Sequence, residues 1–168
     1  MYEKVRAPRR RRWDVPLWLW LAVALALLLM AFIPIPWAYY QRYEYQTFQE
    51  ALNGSVLYAQ EHGGAEVVCQ GAAYRSADSG SGIHRRLRMA GQGKRQSKPP
   101  EAAEDIRIDF GDGSCLRLWA LDVYDGYTGE WVPGMFVEYS YPDGKVYRYD
   151  TDQLTWTQLR HALPEKEQ

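Results

Sequence analysis

Cysteine and histidine are both scarce in this sequence, with two and three residues among 168. The histidines, His62, His84 and His161, stand far apart and fit no zinc-ligand spacing, so no metal centre is expected. Cofactor and catalytic motifs are missing too. Asp109-Phe110-Gly111 spells a kinase tripeptide with no phosphate loop or catalytic loop to accompany it, and Gly80-Ser81-Gly82 is not a nucleophile elbow. Two further absences concern charge. Between Asp14 and Arg42 lie 27 residues without a charged side chain, mostly Leu, Ala, Trp and Ile. After Arg42 the next lysine or arginine is Arg75.

The uncharged run is long enough to cross a bilayer. A hydrocarbon core about 30 Å thick needs ~20 helical residues at ~1.5 Å each. Pro16 suits the first turn of a helix, where its missing N–H loses no partner, and Pro34 and Pro36 suit its end. Trp13, Trp18 and Trp20 at one end, with Trp37, Tyr39 and Tyr40 at the other, match interfacial aromatic belts. Residues 15–38 are therefore expected to form a transmembrane signal-anchor helix. Residues 1–14 hold six basic side chains, Lys4, Arg6 and Arg9 to Arg12, against Glu3 and Asp14. Cytoplasmic flanks carry the Lys/Arg excess, which predicts a cytoplasmic basic tail and an outer domain at the plasma membrane. A cleaved signal peptide fits less well, because the apolar run exceeds a usual h-region and Pro36-Trp37-Ala38 offers no small-x-small site. The arginine run is not followed by the residues of a twin-arginine signal either.

Beyond the anchor the sequence predicts one α+β domain. Tyr45, Phe48, Leu52, Val56 and Ala59 recur at helical spacing, which predicts a membrane-proximal helix over 39–64, closed by Gly63-Gly64. Residues 65–163 read as a meandering antiparallel sheet ending in a short helix. AEVVCQGAAYR (65–75) and IHRRLRMA (83–90) are its first strand candidates, the latter with Ile83, Leu87 and Met89 sharing a face. Residues 91–104 lack periodicity and are expected to be a mobile loop. The sharpest signals are two hairpins. Ile106, Ile108 and Phe110 alternate inward before a turn at Gly111-Asp112-Gly113, and Met135, Val137, Tyr139 and Tyr141 do so before Pro142-Asp143-Gly144. Thr151 or Asp152 can cap a last helix with Trp156, Leu159 and Leu163 as its stripe, leaving 164–168 as a charged tail.

An oxidising compartment favours pairing Cys69 with Cys115 as a structural disulfide. The rival, a reactive thiol activated by His62 or His84, has no recognisable spacing to support it. Asn53-Gly54-Ser55 is a glycosylation sequon. Asp122, Asp125 and Glu130 could gather round a cation, although solvated turn acids explain them better. One asymmetry of charge remains. Residues 75–98 hold Arg75, Arg85, Arg86, Arg88, Lys94, Arg95 and Lys98 against Asp78 alone, while residues 101–152 hold four basic against twelve acidic groups. Arg85, Arg86, Arg88, Lys94, Arg95 and Lys98 are thus candidate contacts for anionic lipid, acidic wall polymer or an acidic protein. Outside residues 1–14 acids outnumber bases, nineteen to fourteen, which argues against nucleic acid as a partner. The expectation is a non-catalytic binding or scaffold protein of a bacterial envelope, with no cofactor. A small anchored hydrolase or transpeptidase using a cysteine and a histidine is the alternative.

Overall fold

The computed structural model describes residues 16–32, 34–78 and 80–163. The basic tail 1–14 and the charged tail 164–168 lie outside these. Two compact units divide the chain, Met1–Gln41 and Arg42–Gln168.

In the first unit, helix α1 spans Leu17–Phe32, 16 residues with no charge. Its side chains from Leu17 to Met30 are exposed, Met30 at 72%. A second helix, α2 (Pro34–Glu61, 28 residues), starts at the first proline of Pro34-Ile35-Pro36. Both prolines fall in its first turn, where a fixed φ and a missing N–H cost nothing. The expected 15–38 helix is thus shared between two helices. Among the described residues no helix is both long and apolar enough to cross a membrane.

The second unit is a mixed α+β domain built on a seven-stranded sheet in the order β2-β1-β4-β5-β6-β7-β3. Its strands are β1 (Ala65–Cys69), β2 (Ala72–Ser76), β3 (Lys94–Arg95), β4 (Ile106–Asp109), β5 (Cys115–Asp125), β6 (Glu130–Ser140) and β7 (Val146–Thr151). Every pairing is antiparallel. Both expected hairpins form, β4–β5 and β6–β7, with the predicted residues inward. One face of the sheet receives Phe48, Leu52, Val56 and Ala59 of α2, all buried as the periodicity predicts. Phe48 stands at the centre, its ring 5.1 Å from Tyr147, 5.6 Å from Tyr149 and 5.7 Å from Tyr139. A short helix, α4 (Trp156–Arg160), adds buried Leu159.

Four expectations are corrected. Residues 65–75 are not one strand: Gln70 (φ 49°) and Gly71 (φ 81°) both turn left-handed, folding the segment into the β1–β2 hairpin. Two positive φ values in a two-residue loop match the right-handed twist of the strands they join. Residues 83–90 are not a strand either. They belong to helix α3 (Ser81–Ala90), in which Ile83 and Leu87, four apart, are buried and Met89 is 73% exposed. Leu, Arg and Met favour helix strongly enough to override an alternation that only three apolar residues supported. The 91–104 segment is tied down: β3 pairs with β7, Arg148 Nη1 donates to the Ser97 carbonyl at 3.3 Å, and Trp119 Nε1 donates to that of Ala102 at 3.0 Å. Last, α4 is capped by Thr155 in a capping box with Gln158, because Thr151 is still the end of β7.

Candidate interaction surfaces

The six candidate basic residues separate into two groups. Arg85, Arg86 and Arg88 lie on α3, with Arg85 and Arg88 exposed and Arg86 half-buried. Lys94 and Arg95 form β3, and Lys98 follows, exposed. Helix α2 contacts the elements that carry both groups: Tyr45 donates to the Leu87 carbonyl of α3 at 3.3 Å, and Glu44 beside it reaches β3. Not all of the charge is free there. Arg95 is ion-paired to Glu44 at 2.8 Å and lies over the Tyr147 ring at 4.4 Å. Lys94 is opposite Asp150 in the β3–β7 register. Arg85, Arg88 and Lys98 enter none of the ion pairs among the described residues.

The two cysteines are free thiols, which corrects the expected disulfide. Cys69 faces the core from β1, opposite Ile106 of β4. Cys115 faces the other side of the sheet from β5, opposite Asp109. With β4 between them the two lie two strand spacings apart, about 10 Å before any offset along the strands. A disulfide needs Cα atoms within about 7 Å and side chains that point together. Burial pushes both thiols above their ordinary range, Cys69 with help from Asp105. For Cys115, Arg107 and Arg117 work against burial without reversing it. Neither thiol is shifted by a histidine, and His84 is itself half-buried on α3, its imidazole pulled down by desolvation and Arg88.

The outer face of the sheet carries a charged row that the sequence reading missed. Arg107, Arg117, Glu138 and Arg148 are register partners across β4, β5, β6 and β7. Glu138 is 2% exposed and is held by Arg117 at 2.8 Å and Arg148 at 2.6 Å. Aligning the outward positions of the two predicted hairpins would have brought these residues together. A second missed cluster joins α2 to the β4–β5 turn. Ser55 donates to Asp112 Oδ2 at 2.6 Å and meets the Tyr139 hydroxyl at 2.8 Å, while Ser114 donates to Asp112 Oδ1 at 2.5 Å. Burial pushes the Asp112 carboxyl up, but the hydrogen bonds from Ser114 and Ser55 outweigh it and hold the group below the usual carboxylate range. Ser55 is 3% exposed, so the hydroxyl of the Asn53-Gly54-Ser55 sequon is buried inside the helix contact.

Asp122, Asp125 and Glu130 do not converge on a cation. Asp125 and Glu130 are register partners, whereas Asp122 is three residues from Asp125 and faces the other side of the same ribbon. Asp125 instead accepts from Tyr127 N at 2.8 Å and Thr128 Oγ1 at 2.6 Å, a local turn bond that lowers its carboxyl. No group of metal-ligating side chains forms among the described residues. A pocket of about 380 Å³ opens over β1, β2 and β4, with Glu66, Arg75 and Asp109 in one register row along it. Two carboxylates thus flank one guanidinium there, and the ion pair of Asp109 is with Arg107 at 4.0 Å. No family model, curated protein or solved structure matches the chain.

Proposed function

We propose that this chain is a single-pass membrane-anchored protein of the cell envelope whose outer domain binds a partner without catalysing a reaction. The observation that carries the reading is α1, whose side chains from Leu17 to Met30 are apolar and exposed. Sixteen apolar residues in water would be an unusually large exposed patch for a soluble domain. At ~1.5 Å per residue the helix is ~24 Å long, short of a ~30 Å core. The apolar run continues past it to Tyr40, and Trp18, Trp37 and Tyr39 supply interfacial rings at both ends. The six basic residues of 1–14 favour a cytoplasmic N-terminus and an outer position for the rest.

The binding role rests on exposed charge. Arg85, Arg88 and Lys98 are available to anionic lipid, acidic polymer or an acidic protein, whereas Arg95 is committed to Glu44. The cysteine-hydrolase alternative gains no support, since both thiols are held protonated and neither has a histidine beside it. The direct test is fractionation of cells expressing the full chain, followed by external protease. The expected result is membrane retention against alkaline carbonate, with digestion beyond Arg42 only from outside. Release by carbonate, or protection of the domain in intact cells, would overturn the reading.

A further inference from the structure

The β5–β6 hairpin projects beyond the sheet that carries it. β5 pairs with β4 only over Cys115 to Leu118, and β6 with β7 only over Met135 to Ser140. From Leu121↔Gly134 to Asp125↔Glu130 the two strands have no third strand partner among the described residues. One face of this arm presents Asp122, Tyr124 and Trp131, with the two rings edge to face at 5.6 Å. Tyr124 is 48% exposed and Trp131 70%, and Tyr127 at the turn is 98% exposed. Between Arg117 and Lys145 the sequence holds no lysine or arginine. Asp122, Asp125 and Glu130 enter none of the ion pairs among the described residues. The arm is therefore aromatic and purely anionic at its end.

Helix α3 is its converse. Arg85, Arg88 and Met89, at i, i+3 and i+4, share the face opposite buried Ile83 and Leu87, and all three are exposed. No acidic residue occurs in Ser81–Ala90. Guanidinium groups favour the faces of Trp and Tyr rings, and a thioether favours a ring edge. From Arg85 to Met89 the helix advances about 6 Å, close to the separation of the two rings. We infer that the arm of one copy of this chain docks on the exposed face of α3 of a second copy. Arg85 and Arg88 stack on Tyr124 and Trp131 beside Asp122, and Met89 meets a ring edge.

Because arm and helix are different surfaces, the contact is head-to-tail. Each docked pair leaves one arm and one helix unoccupied, so association continues into a ring or an open row. The footprint is narrow beside the 1,200–2,000 Å² that stable complexes bury. The contact is therefore a weak, transient one, and confinement of copies in one membrane would raise its occupancy. The contact itself does not depend on the membrane reading.

The test uses the full chain, purified in detergent or in plain buffer if it proves to need none, by sedimentation over a wide concentration range. The expected result is an average mass that rises with concentration past the dimer and falls back in ~1 M salt, where the Debye length is ~3 Å. R85E/R88E should abolish the rise, and so should Y124S/W131S. Mixing the two variants should restore a complex that stops at the heterodimer, because each retains one intact surface. Should Y124S/W131S unfold, D122K serves as the arm variant, with a weakening of about tenfold or more expected for reversing a charge at the contact. A chain that stays monomeric at all concentrations, self-association indifferent to these variants, or variants that fail to complement would each overturn the proposal.

Discussion

Asp112 shows how one carboxylate in a turn fixes a helix to a sheet. It receives Ser55 from α2 at 2.6 Å and Ser114 from β5's approach at 2.5 Å, so its charge is satisfied by groups from two separate elements. A hydrogen bond to a charged group contributes about 1.5–3 kcal/mol, against about 1 for a neutral one. Asp112→Asn should therefore destabilise the domain by about 1–3 kcal/mol, read from urea unfolding at neutral pH. The folded carboxyl lies below its unfolded value of about 3.9. Its contribution is thus complete above that unfolded value and is lost as pH falls toward the folded one. The wild-type stability should fall along this acid limb, and the Asn variant should show a shallower fall. A variant as acid-sensitive as the wild type would assign the limb to other carboxylates. The tyrosines titrate at the opposite extreme. Burial pushes Tyr147 up to about 12, against the lowering effect of Arg95, and Tyr141 up to about 12 as well. The neutral phenol is the form the fold favours, so its contribution is intact below about 10 and is lost between about 10 and about 12. Circular dichroism and phenolate absorbance should show unfolding and ionisation moving together in that window, and Tyr147→Phe should retain more structure there.

Elements differ in how much of their surroundings their own residues encode. Edge strand β3 has two residues, and what permits it is Gly93, where any Cβ would overlap the Asp150 carbonyl oxygen and stand 2.7 Å from the Tyr149 ring. Gly93→Ala should detach Lys94-Arg95 from β7, break the Arg95–Glu44 pair and cost about 1–3 kcal/mol. Hydrogen exchange would register this as faster exchange at Gln96, whose amide now donates to Arg148 O, with the β4–β5 amides unchanged. Protection retained at Gln96 would show that the strand shifts without leaving. Nothing in GQGKRQSKPP announces that pairing, because the required partner edge lies fifty residues onward. By contrast α2 and the β4–β5 and β6–β7 hairpins were legible. Their apolar residues repeat over three to five positions, and the hairpin turns carry glycine at the place a left-handed φ requires it, Gly111 at 79° and Gly144 at 83°. α3 was misread because Ile83, Leu87 and Met89 satisfy period two as well as Ile83 and Leu87 satisfy period four. Only burial distinguishes them. The charged row on the outer face was hidden for another reason: each member is an ordinary outward residue until register aligns Arg117, Glu138 and Arg148. The cysteines were misassigned on compartment alone, since facing opposite sides of a sheet is a property of register and not of spacing.

At the scale of the whole molecule, charge is segregated along the chain more sharply than composition suggests. Twenty basic and twenty-one acidic residues nearly cancel, yet six of the bases fall in residues 1–14 and none between Arg42 and Arg75. In a soluble protein such segregation has little consequence beyond local fields. Beside an apolar run it sets orientation, because the Lys/Arg excess flanking a hydrophobic segment is retained on the cytoplasmic side. The proposed topology therefore has a quantitative cause that can be removed without touching the domain. Replacing Arg9, Arg10, Arg11 and Arg12 by glutamine leaves Lys4 and Arg6 alone at the N-terminal flank, against Arg42 on the other. That margin is small, so the variant should insert in both orientations, whereas the proposed topology has the unaltered chain insert in one. Alkylation from outside intact cells reads the outcome through a single cysteine placed at Met1 or at Tyr127, the second being 98% exposed at the end of the arm. With Cys69 and Cys115 replaced by serine, the wild-type flank should label only at position 127, and the glutamine variant should label at both positions. Uniform labelling at 127 in the variant would mean that the domain or the apolar run dictates orientation. Uniform labelling at position 1 in the chain with its arginines intact would reverse the proposed topology.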